Sequence, residues 1–180
     1  MFPMPVAPVF DFAADPQAVQ RWRAQDDRVM GGVSVSRLAP GAGSAVFEGT
    51  VSLERNGGFA SVRTEPFAPP LDLGAASGVA LLVRGDGRRY KLVLRDDESS
   101  GAASHMAAFD TRAGELLVVR LPFEAFRPTF RGRSVPGTLR PQAITSLGLM
   151  LSKVEHDGVP SPGFVPGLFR LEVLSIGAMR

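Results

Sequence analysis

Apolar and polar residues alternate along most of this chain, the pattern of strands that bury one face. In the segment 45–54, for example, Phe47, Val51 and Leu53 share one face, and Glu48 and Thr50 lie on the other. The same period predicts strands at Val9–Phe12, Val33–Arg37, Ala45–Glu54, Phe59–Thr64, Val79–Arg84, Arg89–Asp96, His105–Asp110, Glu115–Leu121, Ile144–Leu151 and Leu168–Ile176.

Turn and helix signals complete the predicted architecture. Asn56-Gly57 and Asp86-Gly87 each predict a hairpin, because both central positions of such a turn favour positive φ. A helical pattern occurs only in Asp15–Arg23, where Asp15 can cap the helix and Pro16 suits its first position. The prediction is an all-β antiparallel sandwich with one short N-terminal helix, comprising a flexible N-terminus at 1–9 and a single domain at 10–178.

Composition agrees with a folded domain and narrows its setting. Of the 180 residues, 44% are apolar and 21% are charged, and no apolar run is long enough to predict a membrane span. There is no cysteine, which excludes disulfides, thiol nucleophiles and Cys-ligated metals. The opening residues lack the basic region of a signal peptide and contain prolines at 3, 5 and 8, so we expect a cytoplasmic protein.

The charge is unevenly distributed. The net charge is only +2, but the segment 125–154 contains no acidic residue. Such a local field can attract phosphate, acidic protein or nucleic acid, unless acidic residues from other segments fold back over it. Its cations are Arg127, Arg131, Arg133, Arg140 and Lys153.

Catalytic constellations are not evident in the sequence. Glu155-His156-Asp157 offers three potential metal ligands, but consecutive residues of an extended chain point to opposite sides. Asp96-Asp97-Glu98 follows a predicted strand and is typical of an acidic turn, and His105 lies within an alternating strand. No nucleophile elbow or phosphate loop is present. We therefore predict no catalytic residues, no metal and no cofactor.

Two loops contain residues that an ordinary turn does not require. The first has Trp22, then Asp26-Asp27-Arg28, then Val29-Met30-Gly31-Gly32-Val33-Ser34, and the second reads Asn56-Gly57-Gly58-Phe59-Ala60-Ser61-Val62-Arg63. Together they resemble the complex I intermediate-associated protein family, the thirty-kilodalton assembly-factor domain. Further matches are Arg84-Gly85-Asp86-Gly87, Tyr90, Arg95, Leu121-Pro122-Phe123, Phe126, Arg131-Gly132-Arg133 and Leu147-Gly148-Leu149-Met150.

The resemblance runs from about Phe10 to Ile176 and departs from the family pattern twice. Asp26 stands where the family usually has Asn, and the loop from Glu155 to Gly167 is longer than usual. The resemblance implies a galactose-binding-like jelly roll that binds a protein client, a subunit of a respiratory or photosynthetic membrane complex under assembly. One alternative is a carbohydrate or small-ligand module, although such sites generally need exposed flat aromatics. A second alternative is nucleic-acid binding through the basic segment 127–140, which we disfavour.

The candidate residues fall into two groups. We expect Asp27 to accept hydrogen bonds from nearby backbone amides, and the paired glycines to adopt positive φ or permit close backbone approach. The structural group is Trp22, Met30, Gly31, Gly32, Gly57, Gly58 and Phe59. The partner- or ligand-binding candidates are Asp27, Arg28, Asn56, Arg63, Arg84, Tyr90, Arg95 and Arg131.

Three arginines on the predicted strands leave two readings open. Arg63, Arg84 and Arg95 must be paired or solvated, because burying an unpaired guanidinium is prohibitive. In the structural reading they pair with acidic residues on neighbouring strands. In the functional reading some of them line a concave face together with Tyr90 and Asn56, offering planar donors to a carboxylate, sugar hydroxyl or peptide. The predicted acidic partners are Glu48, Glu54, Glu65 and Asp96.

Overall fold

Two antiparallel sheets pack face to face in the computed structural model, which describes residues 7–180. The first sheet contains β1 (Ala7–Asp11), β3 (Val35–Pro40), β4 (Ala45–Val51), β6 (Gly78–Arg84), β9 (Leu116–Pro122) and β13 (Gly167–Met179). The second sheet contains β2 (Trp22–Ala24), β5 (Phe59–Thr64), β7 (Arg89–Arg95), β8 (Ser104–Asp110), β10 (Arg127–Phe130), β11 (Arg133–Ser134) and β12 (Ser146–Ser152). Their strand orders are β3-β4-β13-β6-β9, with β1 paired to β13, and β11-β10-β8-β7-β12-β5-β2.

The core lies between the inner faces of the sheets and includes a group of packed aromatic rings. Phe47 of β4 and Phe169 of β13 come from the first sheet, with ring centroids 4.9 Å apart. Tyr90 of β7 meets Phe47 across the sandwich at 6.1 Å and Phe109 of its own sheet at 6.2 Å. These rings account for the predicted alternation, because each occupies an inward position of its strand.

The antiparallel β architecture predicted from the alternation is confirmed, and each predicted strand overlaps an observed one. Three short strands were not predicted: β2, β10 and β11. Each of them contains arginine, and β10 also contains Pro128, so none shows clear alternation. They extend the two ends of the second sheet beyond its apolar centre.

The predicted helix at Asp15–Arg23 is wrong. The chain forms a short 3₁₀ helix at Pro16–Arg21, and Asp15 makes no capping hydrogen bond through its side chain. Trp22 has extended backbone angles and pairs with Thr64 as the first residue of β2. Its indole packs 5.3 Å from the Phe10 ring. The sheet pairing and this core contact override the helical spacing of the apolar residues.

Both predicted hairpins are also wrong, because their turns connect different sheets. Asn56-Gly57 lies between β4 of the first sheet and β5 of the second, and Asp86-Gly87 lies between β6 and β7, which are divided in the same way. Asn56 and Gly87 do adopt positive φ, at 61° and 93°. The turn residues thus reverse the chain as expected, but each flanking strand finds its hydrogen-bonding partners elsewhere.

The segment 1–9 was expected to be a flexible N-terminus. Residues 1–6 of that segment lie outside the described residues. Ala7–Val9 belong to β1, in which Ala7 and Pro8 pair with the end of β13. Within residues 7–180, no helix has the length and apolar character needed to cross a membrane.

Candidate functional site

The carboxylate of Asp27 joins the two loops that carry the sequence motifs. One oxygen accepts from the Ser34 amide at 2.9 Å, and the other accepts from the Ser34 hydroxyl at 2.6 Å and the Gly58 amide at 2.8 Å. The Phe59 amide approaches the second oxygen at 3.4 Å. Asp27 is only 1% exposed, so its charge is stabilised by hydrogen-bond donors rather than by water.

Asp26 makes the same kind of connection one residue earlier. It accepts from the Ser36 amide at 2.9 Å, from the Ser36 hydroxyl, and from the Ser61 amide at 3.0 Å. The two adjacent carboxylates therefore hold β3, which belongs to the first sheet, against β5 of the second. Because an asparagine could accept only through its amide oxygen, it would not satisfy the Ser36 and Ser61 donors as fully as aspartate does.

The glycines of both motifs make room for the Asp27 carboxylate. A Cβ on Gly32 would lie 2.4 Å from the Asp27 Cγ atom. A Cβ on Gly57 would lie 2.5 Å from Asp27 Oδ2 and 2.7 Å from the Ser52 carbonyl oxygen. Gly31 and Gly58 have a different role, because their φ angles are +86° and +129°. Gly32 and Gly57 thus provide space for Asp27, whereas Gly31 provides only the backbone conformation. Gly58 provides both conformation and space, because a Cβ there would also lie 2.3 Å from the Lys153 Cδ atom.

The ionisation state of the buried Asp27 carboxylate follows from these contacts. Burial raises the pKa of Asp27, but the hydrogen bonds from Ser34, Gly58 and Phe59 lower it, and the net shift is downward from its ordinary value. The carboxylate is therefore ionised at neutral pH and acts as an acceptor. This geometry makes Asp27 a residue that organises the loops from inside.

The outer side of the same loops is apolar. Val29 is 86% exposed and Met30 is 63% exposed, although both lie beside the buried Asp27. The expectation that Met30 is structural is therefore wrong, because its side chain lies on the surface. From Gly31 to Arg37 exposure alternates so that the serines at 34 and 36 face inward while Val33 and Val35 face solvent. We call the exposed apolar surface at this end of the molecule the apolar rim; it comprises Val29, Met30, Val33, Val35, Leu53 and Leu168.

Sheet register connects part of the apolar rim. Val35 of β3, Thr50 of β4 and Leu168 of β13 lie side by side on the outer face of the first sheet. Leu53 follows Ser52, whose amide donates to the Ser34 hydroxyl at 2.9 Å. The usual arrangement of polar outside and apolar inside is thus reversed around this loop, a typical property of interaction surfaces.

The remaining candidates in the motif loops differ in exposure: two are on the surface and two are not. Arg28 is exposed next to Val29, and Asn56 is exposed at the corner between the sheets. Phe59 is half-buried and pairs with Ser152 on β12, while Trp22 is buried in the core.

The structure separates the three strand arginines. Arg84 lies on the first sheet, where it donates to the Gly114 carbonyl at 2.8 Å and lies 3.6 Å from Glu172. Arg95 lies on the second sheet, 3.8 Å from Glu98. The predicted partners were therefore wrong. Those acidic residues have other neighbours or none: Glu48 pairs with Arg37, Glu65 with Arg23, and Asp96 with Arg140.

Arg63 and Arg95 lie near each other on the outer face of the second sheet. Burial lowers the pKa of Arg63, Arg95 lowers it further by repulsion, and Glu98 opposes both effects. Arg63 has no ion pair within the part of the chain that the structure describes. These two arginines share a face, whereas Arg84 does not belong to it.

Tyr90 cannot line a binding face. Its side chain is fully buried between the sheets, and its hydroxyl donates to Asp86 at 2.9 Å. Burial and the nearby Asp86 carboxylate raise the pKa of Tyr90, so the phenol remains protonated. A concave face on which Tyr90 joins Asn56 and some of the three arginines, the functional reading of the sequence, is therefore contradicted at Tyr90.

The basic segment receives only partial compensation from acidic residues. Arg140 lies 3.6 Å from Asp96, as expected if acidic residues fold back over the segment. Arg131 instead stacks above the Phe130 ring at 5.2 Å, and Arg127 approaches only the Ser134 hydroxyl, at 3.4 Å. Asp157 reaches the β10–β11 hairpin through Ser134, so acidic residues reduce the predicted positive field there without forming an ion pair with Arg127, Arg131 or Arg133 among residues 7–180.

Lys91 and the loop after β12 form a feature that sequence reasoning missed. Lys91 is buried on the outer side of β7 and donates to the Val154 carbonyl at 2.6 Å and the Glu155 carbonyl at 2.7 Å. Burial lowers the pKa of Lys91, Glu155 raises it and Arg89 lowers it. The signal in the sequence was a lysine at an outward position between apolar residues, although its partners are distant in the chain.

The residues Glu155-His156-Asp157 do not converge. The Glu155 carboxylate accepts from Arg89 at 2.7 Å, while Asp157 accepts from the Ser134 amide and hydroxyl, both at 2.7 Å. Across residues 7–180 no group of three potential metal ligands is gathered in one place. The loop spans the second sheet from β12 to β11.

The fold is a two-sheet antiparallel β-sandwich, and solved structures share it. The family 11 carbohydrate-binding module of Clostridium thermocellum, in complex with a mixed-linked tetrasaccharide, superimposes with a TM-score of 0.65 at 14% identity, over 97% of this chain and 96% of the module. An agarase gives a TM-score of 0.59 at 11% identity, over 98% of this chain and 25% of the agarase. At such identities the likeness concerns the fold alone.

Sequence comparison is more specific. Residues 10–173 match the family described as Complex I intermediate-associated protein 30, and this chain belongs to that family. An uncharacterized protein of Schizosaccharomyces pombe is 32% identical over 150 residues, which cover 73% of this chain and 68% of that protein. The family suggested by the two motif loops is thereby confirmed.

Proposed function

We propose that this chain is a non-catalytic assembly factor that binds a protein client, a subunit of a respiratory or photosynthetic membrane complex under assembly. Membership in the Complex I intermediate-associated protein 30 family supports the class of process. The observation that carries the binding role is the reversed polarity of the motif loop. Val29 and Met30 face solvent while Asp27 is buried beneath them.

The apolar rim is suited to capture because its loop is already ordered. The Asp27 carboxylate fixes Ser34 and Gly58, and the Gly32 amide donates back to the Asp27 carbonyl at 3.0 Å. A surface held in one conformation loses little entropy when it binds, so apolar contact contributes more fully to affinity. An unassembled membrane subunit offers the apolar surface that such a rim would cover.

The setting of this activity remains a prediction. We expect the protein to act in the cytoplasm and without a metal or cofactor. Fractionation of the source cells, followed by detection of the tagged protein, tests the location.

The carbohydrate alternative receives little support from the side chains. Trp22 and Tyr90 are the single tryptophan and tyrosine of the chain, and both are buried. Sugar rings generally bind on flat aromatic surfaces, and neither of these rings is available. Nucleic-acid binding through 127–140 is disfavoured for a related reason, because Phe126 is buried and Arg131 covers Phe130.

The test is loss and restoration of complex assembly in the source organism. Deleting the gene should reduce the amount of assembled membrane complex and cause its assembly intermediates to accumulate, as measured on native gels. Wild-type protein should restore assembly, and the double variant Val29→Ser, Met30→Ser should not. Normal assembly after deletion would contradict the proposed function.

A further inference from the structure

A cleft on the outer face of the second sheet lies away from the apolar rim. It encloses about 280 Å³ and is lined by residues of β7, β8 and β10 together with the loop after β12. Met106 and Ala108 of β8 contribute apolar surface to its lining. Lys91, Arg127 and His156 contribute hydrogen-bond donors.

One wall of the cleft is held by the buried Lys91. Its ammonium donates to the carbonyls of Val154 and Glu155, which fixes the loop over the sheet. The Asp157 carboxylate fixes the next part of the loop to Ser134 at the far edge. An ammonium has three N–H groups, so Lys91 retains one donor after its two loop contacts.

Lys91 and Arg127 make no ion pair among residues 7–180. The third donor, His156, lies 3.3 Å from the Asp157 carboxylate. Arg127 approaches only the Ser134 hydroxyl, and this contact is long, at 3.4 Å. The acidic residue of the cleft, Glu155, is already engaged, since it accepts from Arg89 at 2.7 Å and from Ser161 at 3.1 Å. The cleft therefore presents more free donors than free acceptors, a composition that favours an anionic ligand.

The neighbouring hairpin extends this charge. Arg131 and Arg133 belong to or adjoin the β10–β11 hairpin, at the open edge of the second sheet. Both are exposed, and neither has a carboxylate partner among residues 7–180. A guanidinium provides parallel donors that match the two oxygens of a carboxylate.

We propose that the cleft binds the carboxylates of an acidic segment of the client protein, with Arg127 as the principal donor and Lys91 beneath it. The inference rests on the proposed function for the identity of the partner as a protein. The apolar Met106 and Ala108 suit the methylene groups of glutamate side chains. The buried Phe126 and the covered Phe130 leave no free ring on which nucleic-acid bases could stack.

The direct test uses labelled hexaglutamate, with hexaglutamine as the uncharged control peptide. Titration with the whole protein, followed by fluorescence anisotropy, should show binding of hexaglutamate alone. Arg127→Gln should weaken that binding about tenfold, the usual order for a hydrogen bond between charged groups. Arg120→Gln is the matched control, because Arg120 is exposed on the first sheet and the variant has the same net charge. It should leave the affinity unchanged.

Three results would overturn the inference: no binding of hexaglutamate, equal weakening by both variants, or tighter Arg127-dependent binding of an oligonucleotide. Equal weakening by both variants would indicate that the peptide responds to the overall charge of the protein rather than to the cleft. Failure here is distinguishable from failure of the proposed function. If hexaglutamate does not bind but assembly still requires Val29 and Met30, only the proposed role of the cleft is refuted. If assembly is normal after gene deletion, the proposed function is refuted.

Discussion

Two aspartates each accept hydrogen bonds from both the amide and the hydroxyl of one serine, one buried in the motif loops and the other on the exposed surface. In the motif loops, Asp27 holds Ser34 at 2.9 and 2.6 Å and is buried. In the loop over the cleft, Asp157 holds Ser134 at 2.7 Å through both contacts, and both residues are exposed. The bonding pattern is the same, and the surroundings differ.

Burial decides what each contact does for the fold. If the Asp27 carboxylate is removed, the Ser34 and Gly58 amides lose their acceptor in a place that water reaches poorly. If the Asp157 carboxylate is removed, water can replace it. The energetic role of an aspartate–serine pair is therefore set by solvent access rather than by distance.

The largest expected effect is on folding stability. Asp27→Ala should lower the free energy of unfolding on the order of 3 kcal/mol, because several buried donors lose their acceptor together. Asp157→Ala should produce a much smaller change. Urea unfolding of both variants measures the difference, and equal losses would contradict the role assigned to burial.

The glycines sharpen the comparison at the next level. Gly57→Ala should cost about 2 kcal/mol, since its Cβ would overlap Asp27 and the Ser52 carbonyl. Gly31→Ala should cost about 1 kcal/mol, because only the φ of +86° opposes it and the surrounding space is open. Thermal unfolding of the two variants should preserve this order, and the reverse order would show that conformation outweighs space.

Lowering the pH should reduce folding stability by protonating the Asp27 carboxylate, without removing the side chain. The pKa of Asp27 is lowered in the folded protein from its ordinary value of 3.8. The stability that follows is complete above the unfolded pKa and is lost as pH falls through the folded one. Unfolding measured from pH 7 down to about pH 2 should thus have a shallower acid dependence in Asp27→Asn than in the wild type. Parallel curves would contradict an ionised, hydrogen-bonded Asp27.

The sequence predicted the sheets well and their connections poorly. Alternation located the strands because each buries one face, as Phe47 and Tyr90 do. It could not show that Asn56-Gly57 leads from one sheet to the other, since the same turn residues serve in a hairpin within one sheet and in a connection between two sheets. The sequence predicted a helix at Trp22 because Ala18, Val19 and Trp22 have helical spacing. Trp22 instead pairs with β5, a partner that is distant in the chain and cannot be read from local spacing.

The candidate site was partly accessible from sequence. The acceptor expected at Asp27 and the space or conformation expected at its glycines describe local chemistry, which short motifs encode. Tyr90 and the separated arginines depend on which sheet face each strand turns inward, and on partners such as Glu172 that are remote in the chain. Lys91 escaped notice for the same reason, because its acceptors belong to a loop more than sixty residues away.

The central claim is that the motif loop has two separate faces, with carboxylates inside for folding and apolar residues outside for binding. The most direct measurement combines stability with capture of membrane-complex subunits for Val29→Ser, Met30→Ser. Val159→Ser is the control, since Val159 is also exposed but lies on the loop that Lys91 holds over the second sheet. We expect both variants to unfold within about 0.5 kcal/mol per substitution of the wild type, and only the rim variant to lose the subunits. Retained capture by the folded rim variant, or equal loss in the control, would contradict the account.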